Sequence, residues 1–128
     1  MANIFNAKFS LAGAPDKPEY VSEGRPSPNA PPIPASGIHS NDLTGRSLRL
    51  DFLTPLPDGE YVLDDINAYV GYSEGYEFAA TGLSGLIKIN LLEGRYEGNY
   101  TVTVEDQHTR KWKMEGTIDI QVIPQRKN

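Results

Sequence analysis

Apolar and polar side chains alternate with a period of two over much of this chain. The alternation is clearest in residues 5–11, 47–52 and 66–72, and shorter apolar runs follow at 61–63 and 76–80. Because successive side chains of a β-strand point to opposite faces of its sheet, each segment predicts a strand with one buried face. Glycine-containing turns separate several of these segments.

The last third of the chain carries a weak repeat in which a glycine precedes alternating apolar residues. The glycines are Gly85, Gly98 and Gly116, and each lies two residues before the first apolar side chain of its run. A further run at 111–114 precedes Gly116, and residues 94–95 and 106–107 are the predicted reversals. Short antiparallel strands joined by tight turns explain this pattern. We therefore predict an all-β protein of about eight short strands, folded as an antiparallel β-sandwich, with a small β-barrel as the alternative.

Proline interrupts the alternation near the N-terminus. Seven of the ten prolines fall between Gly13 and Gly37, and proline is excluded from helix interiors and from central strands. Within a single β domain spanning residues 1–128, we expect residues 13–42 to form an extended, proline-rich arm or loop. A connection of this length is either disordered or packed for a purpose, along a sheet edge or against another protein.

Composition excludes several classes of function. The chain has no cysteine, which removes disulfides, thiol nucleophiles and cysteine-based zinc sites. Its net charge is −5, which argues against nucleic acid as a partner. No apolar run is long enough to span a membrane, and the first residues lack the pattern of a signal peptide. We expect a cytoplasmic protein, unless a leader has been removed.

No sequence motif indicates catalysis or a cofactor. The two histidines, His39 and His108, fall in predicted loops, and neither a nucleophile elbow nor a phosphate-binding loop is present. Hydrolysis by a pair of carboxylates is the only enzymatic alternative. We expect a protein that is not an enzyme and needs no cofactor or metal.

Acidic and tyrosine residues concentrate in the middle of the chain. Seven acidic residues and no lysine or arginine lie between Leu50 and Ile87. An acidic surface bearing exposed tyrosines suits a protein interface or a sugar ring, whereas solvated strand ends are the structural alternative. The candidate binding residues of this face are Asp64, Asp65, Asn67, Tyr69, Glu74, Tyr76 and Glu77.

The proline-rich segment contains one recognisable motif. Arg25, Pro28 and Pro31 match the basic-x-x-Pro-x-x-Pro pattern that SH3 domains recognise in polyproline geometry. A stiff segment that only covers a sheet edge is the structural alternative. These three residues complete the set of candidate binding residues.

These observations favour a non-catalytic protein-interaction domain. It would bind a partner protein, or a second copy of itself, through the acidic tyrosine-bearing face, the proline-rich arm or both. The alternative is a domain that binds a small ligand such as a carbohydrate, optionally with calcium held by Asp64, Asp65 and Asn67.

Overall fold

The computed structural model describes residues 3–27 and 33–122, and these residues form ten β-strands and no helix. The strands are β1 (Asn3–Ser10), β2 (Tyr20–Ser22), β3 (Arg25–Ser27), β4 (Gly37–Asn41), β5 (Arg46–Phe52), β6 (Gly59–Leu63), β7 (Ala68–Glu74), β8 (Glu77–Asn90), β9 (Arg95–Glu105) and β10 (Lys111–Gln121).

All ten strands belong to one strongly curled antiparallel sheet, a half-barrel. The strand order is β2-β1-β10-β9-β8-β7-β5-β4-β3, and β6 pairs separately with β8. The long strand β8 belongs to both halves of the sheet, because its first residues pair with β7 and its later residues pair with β6. The predicted all-β class with antiparallel pairing is confirmed, with ten strands in place of about eight.

Two pairs of predicted strands are each a single strand in the structure. Residues 76–80 and 85–91 were expected to form separate strands, but β8 runs through both and has a register shift between Thr81 and Ser84. Gly82 accommodates the irregularity with a φ of 73°. Similarly, β10 covers both the 111–114 run and most of the run after Gly116. Ile66, expected to be buried at a strand start, lies in an exposed turn before β7.

The predicted proline-rich arm contributes strands at both edges of the sheet. Residues 13–42 contain β2, β3 and β4. Strands β2 and β3 stand at opposite ends of the strand order, yet only Glu23 and Gly24 separate them in the chain. Asn3 fixes this junction, because its side chain donates to the Gly24 carbonyl at 3.0 Å and accepts from the Gly24 amide at 2.8 Å. The curl therefore brings the two edges of the sheet together at Gly24.

The inward side chains of the curled sheet meet in one apolar core. Residues from β1, β5, β7, β9 and β10 contribute to it through every second position, as the alternation predicts. Its largest members are aromatic, among them Phe5, Tyr20, Tyr72, Phe78 and Tyr100. Burial of each large apolar side chain contributes roughly 1.5–3 kcal/mol. The candidate functional residues lie outside this core, in turns and on outward positions of β3, β4, β5, β7 and β8.

Candidate functional site

Two of the predicted acidic residues stabilise turns. Asp64 accepts hydrogen bonds from the Ile66 and Asn67 amides at 2.8 and 2.9 Å. The Asn67 side chain reciprocates, since it accepts from the Asp64 amide and donates to the Val62 carbonyl at 2.7 Å. Such bonds satisfy backbone groups that strands leave free at a reversal. Asp64 and Asn67 thus form the β6–β7 turn.

Asp65 ties the same turn to the irregularity in β8. Its two carboxylate oxygens accept from the Gly82 and Leu83 amides, each at 2.8 Å. In residues 3–27 and 33–122, no group of three or more His, Asp or Glu side chains is placed to hold a metal ion. The calcium ligands suggested by the sequence, Asp64, Asp65 and Asn67, are engaged with backbone groups instead.

Glu74 and Tyr76 lie at the end of the sheet where β7 turns into β8. The Lys17 ammonium contacts both carboxylate oxygens of Glu74, at 2.9 and 3.1 Å, and the Tyr72 hydroxyl also donates to this carboxylate. Burial, followed by the bond to Glu74, raises the pKa of Tyr72. Tyr76 stacks on Phe78 with ring centroids 5.0 Å apart. These two predicted residues therefore pack against the protein itself.

Tyr69 and Glu77 belong to a different surface, on the outward side of β3, β4, β5, β7 and the start of β8. Antiparallel register places Arg25 opposite His39, His39 opposite Arg49, and Asp51 opposite Tyr69. Directly opposite side chains lie on the same face of a sheet. We call this surface the outer face, and its members are Arg25, His39, Arg49, Asp51, Tyr69 and Glu77.

Arg49 connects the charges of the outer face. Its guanidinium contacts Glu77 at 2.6 Å and Asp51 at 2.9 Å, and Asp51 also contacts His39 Nε2 at 2.9 Å. Burial alone would lower the pKa of Arg49, but its hydrogen bonds to the two carboxylates outweigh burial and raise it. The pKa of Tyr69 is raised by burial and then by the charge of Glu77. The Arg49 guanidinium also lies 5.9 Å from the Tyr69 ring centroid.

A shallow groove of about 840 Å³ adjoins the outer face and shares Arg25 and His39 with it. It lies between the β2–β3 junction and the end of β4, and its other lining residues are Val21, Ser22, Glu23, Ser40, Asn41, Asp42 and Leu43. Burial would raise the pKa of Asp42, but bonds from Thr44 and the Arg46 amide outweigh this and lower it. Polar and charged residues thus line the groove together with the apolar Val21 and Leu43.

The sequence pattern predicts only part of this arrangement. Tyr69, Glu77 and Arg25 are among the predicted binding residues, whereas Arg49 and Asp51 are not, although alternation in residues 47–52 places both on the polar side of a strand. His39, predicted to lie in a loop, lies in β4 and pairs with Asp51. The motif residues Pro28 and Pro31 lie outside the described residues.

Comparison with known proteins assigns no family to this chain. No family model, no curated protein and no solved structure matches this chain. None of the described residues form a helix that could cross a membrane.

Proposed function

We propose that this protein is a non-catalytic interaction domain that binds a partner protein through the outer face and the adjoining groove. The observation that carries this proposal is the ordered charge network around Arg49, with the 39% exposed Tyr69 beside it. Tyrosine and arginine dominate the energetics of many protein interfaces. Because Arg49 is already held by Asp51 and Glu77, little side-chain entropy is lost when a partner binds.

The charge of this face differs from the acidic surface expected from sequence. Arg25 and Arg49 balance Asp51 and Glu77, so the outer face offers both donors and acceptors. A partner that fits it carries complementary groups of both signs. In such an interface, matched pairs of opposite charge contribute more to specificity than to affinity.

A photo-crosslinking experiment tests this proposal. A benzophenone amino acid replaces Tyr69 in one version of the protein and Leu92 in a control version. Leu92 is 74% exposed and lies in the β8–β9 turn, away from the outer face. We expect position 69 to form an adduct with a specific protein in cells of the source organism, and Arg49→Glu to abolish that adduct. Equal labelling from both positions, or none from position 69, would contradict the proposal.

Small-ligand binding is the second candidate, and the groove supports it. Hydroxyl, amide and carboxylate groups line the groove together with the exposed Val21, a combination that suits a sugar. Tyr69 lies outside this groove and Tyr76 packs on Phe78, so the groove replaces those tyrosines as the ligand site. A true ligand stabilises the fold by about 2.7 kcal/mol at one hundred times its Kd. Thermal melts with a panel of carbohydrates check this, and Ser22→Trp, which fills the groove, should remove the effect.

We also propose that the half-barrel is a small β-barrel and not a two-sheet β-sandwich. Its support is that β8 belongs to both halves of the sheet, while the junction at Glu23 and Gly24 joins the two edge strands. A barrel leaves no free edge there. Hydrogen exchange at β2 and β3 amides should then be as slow as at β1, and fast exchange confined to β2 and β3 would favour an open sheet.

A further inference from the structure

Lys17 occupies an unusual position at the end of the sheet where β1 finishes. It comes from residues 11–19, which we call the strap and which join β1 to β2 without regular structure. Its ammonium lies 5.8 Å from the Phe9 ring centroid, 5.5 Å from that of Phe78 and 5.2 Å from that of Trp112. These rings come from β1, β8 and β10 and so from both halves of the sheet.

A carboxylate completes the surroundings of this ammonium. Glu74 contacts Lys17 at 2.9 Å, and the Tyr72 hydroxyl donates to the same carboxylate. Arg46 in turn donates to the Tyr72 hydroxyl at 2.7 Å, so the carboxylate is held in place from behind. Three aromatic rings and one anion around a cation form an aromatic cage, the arrangement that proteins use to recognise alkylammonium groups.

The walls of the cage and its occupant differ in how they are held. The three rings and Glu74 belong to strands paired within the sheet. Most strap residues are exposed, while the Lys17 side chain is only 17% exposed. Besides Lys17, both ends of the strap are held: Leu11 and Ala14 pack against the core at its start, and Arg46 donates to the Pro18 carbonyl at 2.9 Å near its end. The Asn6 side chain also donates to Glu19 at 3.1 Å. The cage is therefore preformed, and its occupant sits on a segment outside the sheet.

Two small cavities flank the Lys17 side chain. One of about 240 Å³ is lined by Lys17, Pro18, Thr44, Arg46 and Glu74. The other, of about 210 Å³, lies on the Trp112 side and is lined by Pro15, Asp16, Lys17, Pro18, Arg110 and Trp112. A second side chain can approach the cage through either cavity once the strap moves.

We propose that this cage is a binding site for a lysine side chain of a partner protein, and that Lys17 fills it as an internal competitor in the free chain. The incoming ammonium replaces the Lys17 ammonium and contacts the same three rings and the same carboxylate. Binding then costs the release of the strap, which makes the site autoinhibited. This site is separate from the outer face and goes beyond the function proposed above.

Tryptophan fluorescence reports on the cage directly, because Trp112 is the single tryptophan of the chain. The probes are n-butylammonium and tetramethylammonium chloride, with sodium chloride as the reference at equal ionic strength. The variant Lys17→Ala empties the cage, and Lys8→Ala removes an exposed lysine of β1 as a matched control. We expect a saturable fluorescence change in Lys17→Ala, with binding roughly tenfold or more tighter than in the wild type or Lys8→Ala.

A second substitution distinguishes a cage from a nonspecific effect. Glu74→Gln combined with Lys17→Ala keeps the rings and removes the anion, so the alkylammonium affinity should fall several-fold. If Lys17→Ala does not fold, the wild type still tests the site, because competition predicts weak but saturable binding at high probe concentration. A folded Lys17→Ala that responds no differently from the wild type, or no saturable response in any folded version, would overturn the proposal.

Discussion

Of the residues that the structure describes, Asp106 is the one charged residue that is buried, and it organises the β9–β10 turn. One carboxylate oxygen accepts from the His108 and Arg110 amides, at 2.9 and 3.0 Å. The other accepts from Arg110 Nε at 2.8 Å and from Trp112 Nε1 at 3.1 Å. Burial alone would raise the pKa of Asp106, but these donors outweigh burial and hold the pKa below its usual value.

We predict that Asp106→Asn lowers the free energy of unfolding at neutral pH. The difference between wild type and variant should disappear in acid. Because the folded-state pKa lies below the unfolded value of about 3.9, the carboxylate stabilises the fold fully above that pH. Its contribution disappears as pH falls through the folded-state pKa. Urea denaturation from pH 7 down to pH 3 should therefore show the difference between wild type and variant shrinking below about pH 4. A difference that stays constant over this range would contradict the argument.

Gly116 is a second residue whose identity is set by close contact. A β-carbon there would collide with the Asn6 carbonyl oxygen and with the ring of Tyr100. The Tyr100 hydroxyl donates to the same carbonyl at 2.7 Å, so the ring cannot move away without losing that bond. We expect Gly116→Ala to lower the free energy of unfolding by about 1–3 kcal/mol. Thr117→Ala, at the neighbouring position, should stay within about 0.5 kcal/mol in the same urea titrations, and equal effects would contradict this interpretation.

Strand β8 changes its pairing partner without being interrupted. Its first residues pair with β7 and its later residues with β6, and the change of partner follows the irregularity between Thr81 and Ser84. Asp65 supplies acceptors for two amides at that point. The β6–β7 turn and the β8 irregularity therefore depend on one carboxylate.

We predict that Asp65→Ala destabilises the protein by about 1–2 kcal/mol, because the Gly82 and Leu83 amides lose their acceptors. Amide exchange at these two residues should accelerate more than elsewhere in β8. Glu60→Ala, which removes an exposed carboxylate of β6, serves as control and should change stability by less than about 0.5 kcal/mol. Equal losses in both variants would mean that general charge, and not the two bonds, is responsible.

The two edges of the curled sheet meet at Gly24. A β-carbon there would lie 2.8 Å from Ile120 Cδ1 and 2.9 Å from Phe5 Cβ, so only glycine fits the junction. The Tyr20 hydroxyl and Ser40 Oγ, 2.8 Å apart, add a contact between β2 and β4. The half-barrel is thus stabilised by a junction between segments distant in its strand order.

We predict that Asn3→Ala loosens both edges of the sheet together, because it removes the two bonds to the Gly24 backbone. The expected loss is about 1–2 kcal/mol in urea denaturation. Hydrogen exchange should accelerate in β2 and β3 at the same time, although they lie at opposite ends of the strand order. Asn99→Ala, an exposed asparagine of β9, is the matched control. Faster exchange in only one of the two strands would argue against a shared junction.

The alternation of side chains alone determined the all-β class and the inward residues of several strands. Phe5, Leu50 and Val70 are buried as that period requires, because the direction of a side chain from a strand is a local property of the backbone. Turns at residues 94–95 and 106–107 were likewise predictable from local composition. The outward position of Tyr69 follows from the same period.

Only the tertiary structure decided which strands pair and what each polar side chain contacts. The sequence predicts that Asp64 and Asp65 belong to an exposed acidic surface. In the structure, however, Asp65 accepts hydrogen bonds from amides 17 and 18 residues further along the chain. Arg49 joins Asp51 to Glu77, and Lys17 reaches Glu74, through contacts that no local pattern encodes. The physical reason is that strand pairing is non-local: a residue's period fixes its face, whereas its neighbours on that face come from distant segments.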